Sequence, residues 1–192
     1  MIKYIGMLLA ALLLASCSTN TAPSSAQVIV TGTAAVDQAA VGTAEASQAD
    51  WKTLPLVNAR TGESFTLADF AGKTVYVEPM ATWCTNCRQQ LGNVKLIKDQ
   101  SAAKDVVFIG LSVETNIAAA DLATYAQEQG FDWTFAVMTP DMLAALVNTF
   151  GRSISSPPAT PHFIIRADGS TTDLKTGIMS TDDLVSFIQS ES

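Results

Sequence analysis

Apolar and polar positions divide the 192-residue chain into three stretches of different character. An apolar run from Ile5 to Ala15 follows a single basic residue, Lys3. Residues 18–50 contain no aromatic side chain and no Lys or Arg, and are rich in Ala, Thr, Ser and Gln. Only from Trp51 onward do apolar positions recur with the periods of secondary structure.

In this third stretch "TGESFTL" places Gly62 at a turn and alternates Phe65 with Leu67, which predicts a hairpin. "KTVYVEP" predicts a short buried strand, in which Pro79, having no N–H, must end or bulge the strand. Leu91, Val94 and Ile97, three apart, predict a helix beginning after Cys84. Asp105–Val113 is the clearest core strand. "AADLATYAQEQG" predicts a helix closed by Gly130, and "WTFAV" a strand. Thr139, Pro140 and Asp141 supply an N-cap, a first-turn proline and an acidic first turn for a helix reaching Gly151. "HFIIRADGS" predicts a strand and turn, with "TTDLKTG" as its hairpin partner. Ser180 caps a last helix whose positive end carries Asp182 and Asp183. Strands alternating with helices, closed by a hairpin and a helix, give an α/β domain with a central mixed sheet flanked by helices.

Composition narrows the partners. The chain is 48% hydrophobic and 15% charged, as a globular protein is, and its formal charge of −7 argues against nucleic acid and anionic membrane surfaces. After the first residues no run is apolar for the roughly 18 residues a membrane span needs. Residues 18–50 cannot bury enough apolar surface to fold by themselves; they predict a linker with a reach of about 30 Å, with at most a weak helix near Ala34–Ala46.

The N-terminal run has the form of an export signal, and "LASC", Leu14 to Cys17, resembles a bacterial lipobox. The resemblance implies cleavage after residue 16 and a lipid on Cys17. The expected organisation is a signal peptide at 1–16, a lipidated N-terminus and linker at 17–50, and a domain at 51–192. Cys84 and Cys87 then remain as a pair outside the reducing cytosol.

A C-x-x-C pair suits either half a zinc site or a redox couple. A closed zinc site needs a second ligand pair, but no further cysteine is available and His162 is the only histidine. The redox reading asks for less. A cysteine at a helix N-terminus has its thiolate stabilised by unpaired N–H groups and the helix dipole, and one a turn later can attack a mixed disulfide.

"VYVEPMATWCTNCRQQL" resembles the active-site strand, loop and helix of the thioredoxin superfamily. With "GESFTLADFAGKTVYVE" before it and "ATPHFIIRADGS" after it, the chain from about Leu54 onward is similar to TlpA/ResA-type thiol–disulfide oxidoreductases tethered to membranes outside the cytoplasm. The resemblance implies a thioredoxin-like fold with an N-terminal β-hairpin extension and a Cys84–Cys87 redox disulfide. Cys84 becomes the nucleophile and Cys87 the resolving cysteine. Glu78 becomes a buried acid that exchanges a proton with Cys87, its pKa raised by burial. Trp83 shields the pair. Pro161 becomes a cis-proline facing the disulfide, leaving the Thr160 backbone free to pair with substrate. Gln90 stands where some ResA-type members have glutamate, so a proton relay would run through Glu78. Met80 and the Thr85–Asn86 dipeptide depart from the family pattern and bear on the potential.

The expected activity is reduction of disulfides in exported proteins, with electrons from a membrane thiol donor. The enzyme is expected to be a monomer, without metal or other cofactor, held by its lipid at the cell envelope, on the outer membrane where the host has one. The alternatives are a disulfide donor using the same site, and a Sco-like copper-handling protein using Cys84, Cys87 and His162.

Overall fold

A computed structural model describes residues 50–192 except 101, 102 and 104. The expected signal peptide, Cys17 and nearly all of the expected linker lie outside the described residues. A two-stranded hairpin, β1 (Leu56–Val57) and β2 (Ser64–Phe65), comes first, followed by β3 (Val75–Met80), α1 (Thr85–Ile97) and β4 (Val107–Ser112). Next come α2 (Ala119–Gln129), β5 (Thr134–Val137), α3 (Pro140–Phe150), β6 (Phe163–Ile165) and α4 (Thr181–Glu191). The sheet order is β5-β4-β3-β6, with β3, β4 and β5 parallel and β6 antiparallel to β3. This is the expected mixed sheet. The hairpin covers its β5 edge: Ala59 donates its N–H to Phe135 O at 2.8 Å, and Asn58 bridges Ala136. Among the described residues no helix is long and apolar enough to cross a membrane.

Alternation along β3 sorts the core into two layers. Val75 and Val77 point to one face, where they meet Met142 and Leu146 of α3 together with Trp51, Leu56 and Leu67. Tyr76 and Met80 point to the other. Tyr76 packs with Val94 and Ile97 of α1 and Leu184 of α4, and Met80 with Cys84, Cys87 and Leu91 of α1 and Leu122 of α2. Glu78 lies between Tyr76 and Met80 on this second face, beneath α1.

The helix ends follow the sequence signals. Thr139 accepts the Met142 N–H, Ser180 accepts the Asp183 N–H, and Gly130 closes α2 at φ 66°.

Two expectations change. β3 neither ends nor bulges at Pro79; it continues to Met80, with Pro79 opposite Leu111. Thr74 and Met80 direct their carbonyls to β4, so the even residues of β3 bond that strand. The odd residues face β6, whose pairing stops at Val77. The missing N–H of Pro79 thus falls on a side with no partner strand. The second change is at residues 171–177, which form no regular strand. Bridges join Ile165 to Thr171 and His162 to Lys175, so three steps on one side oppose four on the other. The extra residue breaks the ladder as a bulge does, and the Thr172 hydroxyl takes over as acceptor for the Ile164 N–H.

Candidate active site

The site starts where β3 runs out. Ala81 to Trp83 form a loop pinned by Glu114, whose carboxylate accepts the Thr82 N–H at 2.6 Å and the Thr82 hydroxyl at 3.0 Å. Cys84 is the N-cap of α1: its sulfur accepts the Cys87 N–H at 3.1 Å, as a capping oxygen would. Cys84 and Cys87 are joined in a disulfide, with Cα atoms 5.3 Å apart. Negative charge released on Cys84 when this bond opens therefore meets backbone donors and the positive end of a 13-residue helix with no acidic side chain in its first turn.

The two sulfurs are placed differently. Cys87 is fully buried, and its Sγ lies 3.1 Å from Pro157 O, an acceptor for the thiol proton in the reduced state. Cys84 is 2% exposed and lines a depression of about 250 Å³ with Trp83, Thr85, Asn86 and Pro158. Trp83 forms an open wall of that depression and is 60% exposed. Asn86 donates its side-chain N–H to Pro158 O at 2.9 Å, tying the dipeptide inside the cysteine motif to the opposite loop.

That loop differs from expectation. Among the described residues no peptide bond is cis, and Thr160 adopts the left-handed conformation at φ 47°, ψ 60°. The chain reverses at Thr160, after a 3-10 turn over Pro157–Ala159, with no cis bond at Pro161. The Thr160 backbone is not free either. Its N–H donates to Pro157 O at 2.7 Å and its carbonyl accepts from His162 Nδ1 at 2.9 Å. Both groups are satisfied internally, and both Thr160 and Pro161 are buried. The Pro157 carbonyl faces Cys87 Sγ, and Pro158 lines the depression beside Cys84.

Between β3 and α1 lies a buried polar cluster. Glu78 is fully buried; Tyr76 donates its hydroxyl hydrogen to Glu78 Oε2 at 3.3 Å, and Oε1 has no partner. Burial pushes the Glu78 carboxyl well above its ordinary range, which the Tyr76 hydrogen bond offsets only in part. Burial, and then the Glu78 charge, push the Tyr76 phenol up in turn. The aromatic cover comes from Phe135. Gly110 stands opposite both Glu78 and Phe135, and a Cβ on Gly110 would lie 2.3 Å from the Phe135 ring. Only a glycine lets that ring lie across the strand beside Glu78.

Sequence reasoning gave Gln90 no part in the cluster and missed Met179. Gln90, fully buried on α1, donates Nε2–H to Tyr76 Oη at 3.2 Å and accepts the Met179 N–H on Oε1 at 2.8 Å. Met179 also brings its sulfur to 3.0 Å from His162 Nε2. Heptad-like spacing after Cys87 puts Gln90 on the buried face with Leu91 and Val94, a signal present in the sequence. Met179 lies in a loop and left none. His162 stacks on Tyr76 with centroids 5.7 Å apart, and burial pushes its imidazole down to about 4. Because a carbonyl only accepts, His162 carries its hydrogen on Nδ1 toward Thr160.

A disulfide capping a helix at the end of a central strand decides the chemistry, and the sequence matches the Redoxin family over residues 25–187, most of the chain. The chain belongs to the Redoxin family. Its fold is that of the thioredoxin superfamily. Similar solved structures include the thiol:disulfide interchange protein of Chlorobium tepidum, at 24% identity over 72% of this chain and 92% of that one, TM-score 0.59. A secreted disulfide oxidoreductase of Mycobacterium tuberculosis, homologous to E. coli DsbE, shares 17% identity over 73% and 97%, TM-score 0.58. The exposed lipoprotein thioredoxin of Streptococcus pneumoniae shares 20% over 71% and 98%, TM-score 0.56. At these identities the likeness establishes the fold. No curated protein matches the sequence. As a redoxin with a C-x-x-C disulfide, the protein is a thioredoxin-like thiol–disulfide oxidoreductase.

Proposed function

We propose that this redoxin is a TlpA/ResA-type enzyme, tethered outside the cytoplasm by a lipid on Cys17, that reduces disulfides in exported proteins. The observation that carries the reading is the pairing of a helix-capping Cys84 with a fully buried Cys87, together with a buried, unpaired carboxyl oxygen on Glu78 of the strand that leads into them. The hairpin before the sheet, the "LASC" sequence, and structural neighbours described as secreted or as an exposed lipoprotein support the location.

In the reduced enzyme the Cys84 thiolate attacks a substrate disulfide, and one substrate sulfur leaves as a thiolate. Cys87 then gives its proton to Glu78 and attacks Cys84 Sγ. The mixed disulfide breaks, the Cys84–Cys87 bond forms, and the second substrate sulfur leaves with the electron pair. Two electrons pass to the substrate, its two thiolates take up two protons from solvent, and Glu78 keeps the Cys87 proton until the site is reset. A membrane dithiol donor resets the site: one thiolate attacks Cys84, Glu78 returns the proton to the departing Cys87, and the donor's second thiolate then closes the donor disulfide and releases Cys84 as a thiolate. Trp83 and Pro158 offer the apolar walls against which substrate rests. The His162 ring is buried against Tyr76 and Phe187 with Nδ1–H on Thr160 O, and it does not line the depression beside Cys84, which disfavours a role as a third copper ligand.

The test is the potential of the Cys84–Cys87 couple, measured by equilibration with defined dithiol buffers. A reductase is expected in the range of glutaredoxins and thioredoxin, about −200 to −270 mV. A value near −120 mV, that of a strong oxidant, would reverse the direction and make the protein a disulfide donor.

A further inference from the structure

The buried cluster has a direction, and Gln90 sets it. A backbone N–H can only donate, so the Met179 N–H fixes Gln90 Oε1 as the acceptor of the amide. The other end, Nε2, then carries hydrogens and faces Tyr76 Oη. The Tyr76 hydroxyl hydrogen cannot point back at an amide that only donates. It points at Glu78 Oε2, the remaining partner of that hydroxyl. With Oε2 receiving a hydrogen bond, Oε1 is the oxygen left to hold or accept a proton, and it has no other partner.

We propose that Gln90 is a positioning residue: anchored by the Met179 N–H, it turns the Tyr76 hydroxyl toward Glu78 and so confines the exchangeable proton to Glu78 Oε1. The proposal rests on Glu78 as the proton carrier of the reading above, but concerns how that carboxyl is set. A second anchor holds the same geometry, since Asn93 donates to Met179 O at 2.7 Å and brackets Met179 from the same helix. The residues that face Glu78 come from each packed element. They are Tyr76 on its own strand, the cysteines and Gln90 on α1, and Tyr125 on α2, whose phenol is pushed up by burial and, to a smaller extent, by the Glu78 and Glu114 charges, against the lowering effect of Arg88 on α1. His162 acts at one remove, stacked on Tyr76. None of these but Tyr76 hydrogen-bonds the carboxyl.

Met or Glu at position 90 makes different changes to the chain. Gln90→Met removes both bonds and frees the Tyr76 oxygen to accept from a neutral Glu78. Gln90→Glu keeps an acceptor for Met179 and offers a second one to Tyr76, drawing the hydroxyl hydrogen away from Glu78. Each change favours the neutral carboxyl.

The measurement is the infrared carbonyl band of protonated Glu78, identified by its loss in Glu78→Gln and followed against pH in the full chain. Its midpoint is expected to rise by about one pH unit in Gln90→Met and in Tyr76→Phe. The double variant should move no further than Tyr76→Phe alone, because Gln90 acts through Tyr76. Gln90→Glu, which keeps the Met179 bond, should also raise the midpoint. An unmoved midpoint in both Gln90 variants, or shifts that add in the double variant, would overturn the proposal. A normal resolution rate in Glu78→Gln with the midpoints moving as described would instead remove Glu78 from catalysis and leave the positioning role standing.

Discussion

The Tyr76 hydroxyl donates to Glu78 Oε2 across 3.3 Å, two residues along one strand, and both side chains are buried. That bond is the only compensation a buried carboxyl receives here. Holding Glu78 neutral is the outcome, and it has a sign in stability. The unfolded chain ionises Glu78 above its ordinary value of 4.5, while the folded, disulfide-bonded chain holds the proton to a higher pH. Stability from this residue is therefore full below pH 4.5 and is lost as pH rises through the raised folded value. Glu78→Gln, neutral at every pH, should lack that loss. Urea unfolding at pH 4.5 and pH 8 should show the variant gaining on the wild type at the higher pH. A constant difference would mean that Glu78 titrates normally.

His162 acts with the opposite sign. Its folded value of about 4 lies below the ordinary 6.5, so the unfolded chain takes up a proton first. Stability is present above pH 6.5 and is lost as pH falls toward 4, by up to about 3 kcal/mol. His162→Gln should flatten this decline in urea titrations between pH 7 and pH 4. A wild-type curve with no such decline would show the imidazole to be freely protonated.

Gly110 tests the aromatic cover over the carboxyl. A methyl there meets the Phe135 ring at 2.3 Å, and the ring must move. Gly110→Ala is expected to cost about 1–3 kcal/mol by overpacking. It should also lower the Glu78 midpoint, because water gains access. Unchanged stability would show that the ring has room to shift.

What could be read from the sequence was whatever short-range physics fixes. Cys84 followed by a helical period announced the helix and its cap, and Gly130, Thr139 and Ser180 marked helix ends through backbone groups within a few residues. Pro79 misled because one proline does not say which side of its strand is unpaired; β6 stopping at Val77 decides that. The loop from Pro157 to Pro161 misled for a related reason. Its reversal depends on Thr160 finding acceptors and donors in Pro157 and His162, a three-way arrangement with no local signature. Gln90 and Met179 meet only because α1 packs beside the loop before α4. Their 89-residue separation put that contact beyond any pattern reading.

The tether is tested separately. Cys17→Ala should move the protein from the membrane to the soluble fraction while its exchange rate with a small disulfide stays unchanged. Retention at the membrane would remove the lipid from the account.

The roles of the two sulfurs follow from one mass-spectrometric experiment. In the reduced protein Cys84 should alkylate faster than Cys87 at neutral pH, with a midpoint below the roughly 8.5 of a free thiol. Faster labelling of Cys87 would exchange the assignments.

The central claim is exchange through Cys84 with resolution by Cys87, and trapping reads it directly. Reduced Cys87→Ala protein is mixed with one equivalent of a peptide disulfide and quenched with acid. The account predicts a stable one-to-one mixed disulfide on Cys84, and complete release of both peptide thiols by the wild type under the same conditions. Release of both thiols by Cys87→Ala, or no adduct on Cys84, would contradict it.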